Sequence, residues 1–365
     1  MTGETWPVAA GGADGEARLQ DLAAAASSGE LGRDQVAAAA EAIVDPAISA
    51  PAKATFLRAL AQRGETPAEI AGFVNAFLAL AVDPCLPAPS DSAPILDVVG
   101  TGGDKLNLFN VSTTAMFILA GGGVRVVKHG NRGVTSKSGG ADVLEALGVR
   151  IDLPPDRMAG VAEEAGLCFL FAPLYHPAFK AVVEARKLLA AEGPRSMFNL
   201  LGPLLNPARP DHQLVGVFDA AWMDVFAEIL RRLGRKRAWV VHGEAGDGRG
   251  MDELSTLGAT AVRVVEADKS STLTIQPAEL GIPLTSLDSL VGGDADQNAS
   301  LLTGILSGQD RGARRDIALL NAAAGFVVAG LATGIEDGLL LAAESVDSGR
   351  ALASLDALRR ATRGE

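Results

Sequence analysis

Between residues 16 and 82 the apolar positions recur three and four apart, as at Phe56, Leu57, Leu60 and Ala61 and again at Ile70, Phe73, Ala76 and Phe77. That spacing lines one face of a helix, so the segment is predicted to form amphipathic helices. Thr66-Pro67-Ala68-Glu69 marks the start of the last one. The threonine can cap, the glutamate three residues on completes a capping box, and proline suits the first helical position because no N–H is needed there. Residues 1–15, small and polar without periodicity, read as a disordered leader. Residues 84–94, with four prolines, read as a linker.

Beyond the linker the texture changes to short apolar runs at 95–99, 124–127, 168–171 and 238–241, separated by Gly-rich turns and helical stretches. The alternation predicts an α/β domain with a mostly parallel central sheet. The fold class is therefore a small helical N-terminal domain, residues 16–92, followed by a large α/β domain, residues 93–361. In such sheets ligands gather at the loops that follow the carboxyl ends of the strands.

Composition narrows the function. The chain has 365 residues, 48% of them hydrophobic, and a net charge of −12. It has no general cationic surface to hold nucleic acid or anionic lipid, so an anionic ligand must be bound locally. The apolar stretch 115–123 is too short and too rich in glycine to span a bilayer. No basic start with an apolar core suggests a signal peptide, and a cytoplasmic location is the expectation. Cys85 and Cys168 match no metal or redox spacing and are expected to be buried thiols.

Three segments carry candidate chemistry. Gly100-Thr101-Gly102-Gly103-Asp104 follows the first strand and leads to Asn110-Val111-Ser112-Thr113, which opens an apolar helix. Glycines let a backbone approach a phosphate, and a helix start offers N–H groups. Taken alone, the same glycines also describe an ordinary tight turn. The second strand ends in Lys128-His129-Gly130-Asn131-Arg132-Gly133-Val134-Thr135-Ser136-Lys137-Ser138-Gly139-Gly140. Three cations among hydroxyls and glycines suit a polyphosphate. A helix is expected over 142–147, its start facing the same place. Finally, Asp252 and Glu253 are adjacent carboxylates on a loop. They read either as an exposed doublet or as a pair that Mg²⁺ bridges to phosphate oxygens.

Together these segments resemble the anthranilate phosphoribosyltransferases, over nearly everything from the helical segment onward. Five blocks in order carry the likeness: 97–104, 110–113, 128–132, 198–207 (Phe-Asn-Leu-Leu-Gly-Pro-Leu-Leu-Asn-Pro) and 251–253. The resemblance implies that the helical domain is completed by a mid-chain helix around 178–194 and hinged to the α/β domain. It also implies a homodimer formed through the helical domain. Phosphoribosyl pyrophosphate would be held by Gly100, Gly103, Asp104, Asn110, Val111, Ser112, Thr113, the Lys128 to Ser136 loop and Gly140. Anthranilate would meet Gly100, Asn131 and Arg186. Two Mg²⁺ ions per subunit would be bound, one by Ser112 and Glu253 and one by Asp252 and Glu253. No nucleophile or obligatory general base stands out, and His129 is the candidate proton acceptor.

The chain departs from the family pattern in several places. Leu108 and Gly140 stand where members usually or often carry Thr and Ser, and the segments 188–194 and 244–250 are longer than usual. The alternatives are a relative using the same donor with another aromatic amine, a pyrimidine-nucleoside phosphorylase, and a non-catalytic binding paralogue.

Overall fold

The computed structural model describes residues 12–133, 137–191, 196–267 and 269–364. They form two compact units.

The first unit runs to Ala81 and takes in His176–Leu205 from mid-chain. Its helices span Ala13–Ser28, Arg33–Val44, Ala50–Arg63 and Pro67–Ala79. The first begins within the expected leader: Asp14 and Glu16 lie in its first turn, where the helix dipole favours acids, and Leu19 and Ala26 are fully buried. The capping box is formed, with Glu69 N donating to Thr66 Oγ1 (3.2 Å) and Thr66 N to Glu69 Oε2 (2.9 Å). The mid-chain segment supplies a 3₁₀ turn over Pro177–Val182 and a helix over Val183–Ala191. It adds Phe179 and Phe198 to a cluster with Phe73 and Phe77, whose neighbouring rings lie 5.0–6.0 Å apart. Lys53, buried on the third helix, donates to Ala181 O at 2.9 Å, fastening the segment.

The second unit comprises Val82–Tyr175 and Asn206–Glu365, so the proline-rich linker belongs to it. Its strands are β1 (Leu96–Gly100), β2 (Val126–Gly130), β3 (Leu167–Phe171), β4 (His212–Gly216), β5 (Arg237–Glu244), β6 (Gly250–Met251), β7 (Thr260–Glu266) and β8 (Lys269–Ile275). The sheet order is β3-β2-β1-β4-β5-β7-β8, with β6 paired to β5. Strands β3 to β5 along this order are parallel, and β7 and β8 are antiparallel additions at one edge. From β1 the chain proceeds outward through β2 and β3, then returns on the other side as β4. That reversal makes the β1–β4 junction a topological switch point, where a crevice opens beyond the strand ends. The extended 244–250 segment is the tip of a hairpin, with Gly243 opposite Met251 and Glu244 opposite Gly250. Among the described residues no helix is long and apolar enough to cross a membrane. Both cysteines are free, but only Cys168 is buried; Cys85 is exposed in the linker, its N–H donating to Asp83 Oδ1 at 2.8 Å.

Candidate active site

The loop after β1 is shaped by the segment that crosses over it. A Cβ on Gly216, at the end of β4, would fall 1.7 Å from Asp252 O, and one on Gly100, at the end of β1, 2.8 Å from Asp252 Oδ2. Only glycine at both strand ends lets the acidic segment lie this close. Asp252 Oδ2 accepts Gly102 N–H at 2.6 Å and Thr101 Oγ1–H at 3.2 Å, while Thr101 N–H donates to Gly216 O at 3.0 Å. Farther on, Lys105 (φ 57°) and Asn107 (φ 54°) are left-handed although neither is glycine. Two bonds hold this turn: Leu106 N–H to Asp104 Oδ1 at 3.0 Å and Gly292 N–H to Asn107 O at 2.9 Å. Strained backbone kept in place this way is characteristic of functional loops. The helix Val111–Gly121 starts directly after Asn110.

These pieces enclose a cavity of about 200 Å³. Of the expected site residues, Gly100, Asp104, Asn110, Val111, Ser112, Asp252 and Glu253 line it, joined by Ser138 and Gly139. Leu108 also lines it, half-buried and packed on the core, so the departure replaces a hydroxyl with an apolar wall.

Lys128 stands behind this wall. It is buried and donates to Val98 O and, at 3.1 Å, to Ser112 Oγ. Burial lowers its pKa, and the charges of Asp97, Glu253 and Asp252 oppose that shift. Asp97 is buried on β1; burial raises its pKa to about 6 against the pull of Lys128, Asn206 and Arg235. A file of buried polar groups continues from it, with Gln213 Nε2 3.5 Å from Asp97 Oδ2 and Arg235 Nε donating to Gln213 Oε1 at 2.9 Å.

The acidic pair is equally displaced from its ordinary titration. Asp252 is pushed up to about 7, by burial first and then by the charge of Asp104, with the Gly102 N–H acting in the other direction. Burial and then Asp252 hold Glu253 well above the carboxylate range, partly offset by Lys128 and a bond from the Ser112 backbone N–H. Among the described residues no three His, Cys, Asp or Glu side chains gather into a metal cage. The adjacent carboxylates of Asp252 and Glu253 suit Mg²⁺, which takes one or two carboxylates and completes its shell with phosphate oxygens and water.

The rest of the second loop is arranged differently. His129 is buried, and Thr113 is buried in the helix. A Cβ on Gly140, the first residue of the helix Gly140–Ala146, would sit 3.2 Å from Thr113 Oγ1. Asn131 Oδ1 accepts the Arg132 N–H at 2.8 Å. The Arg132 guanidinium pairs with Glu145 and lies over the Phe171 ring at 5.4 Å, so it is engaged away from the cavity wall. Gly133 and Gly139 N–H both donate to Asp142 Oδ2 at 2.8 Å. Gly103, Thr113, Gly140 and the run from Lys128 to Gly133 do not line the cavity. Val134, Thr135 and Ser136 lie outside the described residues. Arg186 belongs to the helical unit, exposed on the helix Val183–Ala191 with its guanidinium 5.2 Å from the centre of the Phe198 ring.

Sequence reasoning missed Asn321. Buried in the helix Ala313–Ala329, it accepts Leu254 N–H and donates to Leu254 O, both at 2.9 Å, clamping the residue after the acidic pair. Its signal is an isolated amide in the apolar run 317–329, since a buried amide must find hydrogen-bond partners.

Residues 92–352 match the model of the glycosyl transferase family a/b domain, and residues 21–81 match that family's helical bundle domain. The anthranilate phosphoribosyltransferase of Azorhizobium caulinodans is 46% identical over 91% of this chain and 93% of its own length. That of a Chelativorans species is 48% identical over 83% and 86%. The chain belongs to the anthranilate phosphoribosyltransferase family. Solved structures of family members agree with the fold. The Thermus thermophilus enzyme superposes with a TM-score of 0.84 at 39% identity, over 95% of this chain and 99% of that one. The Saccharomyces cerevisiae enzyme, in complex with phosphoribosyl pyrophosphate and magnesium, gives 0.83 at 28% identity over 96% and 99%.

Proposed function

We propose that this chain transfers the phosphoribosyl group of phosphoribosyl pyrophosphate to anthranilate, giving N-(5-phosphoribosyl)anthranilate and pyrophosphate for tryptophan synthesis. One observation carries the reading. At the end of β1 the Gly-rich loop and the start of the helix Val111–Gly121 share one cavity with two adjacent carboxylates, Asp252 and Glu253, whose pKa values are raised.

In this reaction the bond from ribose C1 to the pyrophosphate oxygen breaks, a bond from C1 to the anthranilate nitrogen forms, and the amine gives up a proton. The chain's part is positioning and charge placement. Gly100, Gly103, Asp104, Asn110, Val111, Ser112 and Thr113 bind the donor, together with the Lys128 to Ser136 loop and Gly140. Gly100, Asn131 and Arg186 receive anthranilate, Arg186 offering its carboxylate a bidentate partner. Ser112 with Glu253 would hold one Mg²⁺ and Asp252 with Glu253 a second. Bound there, magnesium neutralises charge on the pyrophosphate. His129 is the candidate acceptor of the amine proton, although a weakly basic arylamine can release it to water. We extend the reading to a homodimer formed through the helical unit and to a cytoplasmic location.

The test mixes the protein with phosphoribosyl pyrophosphate, anthranilate and Mg²⁺ and follows anthranilate fluorescence. Magnesium-dependent loss of signal is expected. No turnover with anthranilate, but turnover with another arylamine, would keep the donor and replace the acceptor.

A further inference from the structure

The cavity wall at Asn110 has a support that lies 188 residues away in sequence. The helix Ala295–Leu306 begins at a capping box, Asp294 Oδ1 accepting Gln297 N–H at 2.9 Å and Gln297 Oε1 accepting Asp294 N–H at 3.1 Å. One turn in, Asn298 is 2% exposed. Its Oδ1 accepts Gly293 N–H at 2.8 Å, and its Nδ2 donates to Asn110 Oδ1 at 2.8 Å. Asn110 Nδ2 in turn donates to Ser138 O at 3.3 Å.

The two ends of this chain fix its direction. Gly293 N–H can only donate and Ser138 O can only accept, so the two carboxamides between them have a single ordering that satisfies every link. Turning Asn298 over would set an NH₂ against an N–H; turning Asn110 over would set a carbonyl oxygen against Ser138 O. A carboxamide nitrogen carries two hydrogens, and Ser138 takes one.

We propose that Asn298 is a positioning residue for the donor site: it holds the Asn110 carboxamide with its NH₂ toward the cavity, leaving an N–H for a donor oxygen. The proposal rests on the reading that Asn110 contacts phosphoribosyl pyrophosphate. Without Asn298 the Asn110 amide loses one of its two holds, the other being the 3.3 Å bond to Ser138 O, so it turns more readily to present its carbonyl oxygen to an anion, which replaces an attractive contact by a repulsive one.

The experiment titrates phosphoribosyl pyrophosphate with Mg²⁺ into the full chain and measures KM for each substrate. Asn298→Asp keeps the acceptor for Gly293 but offers Asn110 only acceptors, reversing its amide; donor binding should weaken about 30-fold. Asn298→Leu removes both links without adding charge and should weaken it about 5-fold. Anthranilate KM should move by less than about 2-fold in Asn298→Leu, since that amide serves the donor. In an Asn110→Ala background Asn298→Leu should change donor affinity by less than about 2-fold, because its route of action is gone. An undiminished effect in that background, or equal rises in both KM values, would overturn the proposal. Should the unaltered protein bind no phosphoribosyl pyrophosphate, the reading of the site fails. Inorganic pyrophosphate with Mg²⁺ then replaces it as the probe: the same ranking of variants supports the proposal, and equal affinities or no binding overturns it.

Discussion

The Gly-rich loops after β1 and β2 read alike in sequence and are built differently. The first is held from behind by buried groups: Asp252 on Gly102 N–H, Lys128 on Ser112, and Asn321 on Leu254. The acids beside it and Lys128, which reaches it from β2, are all displaced from their ordinary titration, chiefly by burial. The second loop is tied at its surface, with Arg132 half-exposed on Glu145 and two glycine N–H groups on Asp142. Charge counts rank the second loop as the stronger anion site. Burial gives the two loops different tasks: weakly screened carboxylates at the first call for a cation before an anion can bind there, while the surface charges of the second are screened.

Substitutions can break this contrast, and the largest effect belongs to the buried acids. Glu253→Gln should lower turnover by about 10²-fold or more while leaving the thermal midpoint equal or higher, since it removes a carboxylate that burial disfavours. Parallel activity and melting measurements check this, and a large joint loss would make Glu253 structural. Asp97→Asn comes next: it leaves Lys128 and Arg235 without their buried counter-charge and should cost about 3 kcal/mol in a denaturant titration. A cost near zero would show that the buried file does not support the first loop.

A pH series gives a smaller effect with a definite sign. The Asp252 pKa in the folded chain, about 7, lies above its ordinary 3.8. Its contribution to stability is fully present below the ordinary value and is lost as pH rises through about 7. Without ligands the thermal midpoint should therefore fall between about pH 4 and about pH 7, and Asp252→Asn should flatten that fall. Arg132→Ala should do least, changing stability by less than about 1 kcal/mol, as expected of an exposed pair. A loss as large as that of Asp97→Asn would erase the difference between the loops.

The sequence made local patterns legible. The capping box at Thr66, the strand before Gly100 and the helix after Asn110 depend on neighbours a few residues apart. Strand β4 escapes that reading because buried His212 and Gln213 interrupt its apolar run, and Gln213 is needed for the polar file under Asp97. Strand β8 escapes for the opposite reason: from Lys269 to Thr274 it is an exposed edge strand of mostly polar residues. Asn321 and Asn298 bond to partners 67 and 188 residues away, a distance over which periodicity carries no information. In the acidic doublet, Asp252 is buried because glycines at two strand ends leave room for it, while Glu253 stays half-buried.

The central claim is that Asp252, Glu253 and the Gly-rich loop at the end of β1 form one site for a donor and its magnesium. Calorimetric titration of phosphoribosyl pyrophosphate at about pH 7, with and without Mg²⁺ and in buffers of different ionisation enthalpy, tests it most directly. The account predicts binding at least about 10-fold tighter with Mg²⁺ and coupled to proton release, with the release reduced in Asp252→Asn. Equal affinity with and without Mg²⁺, and no proton released, would contradict it.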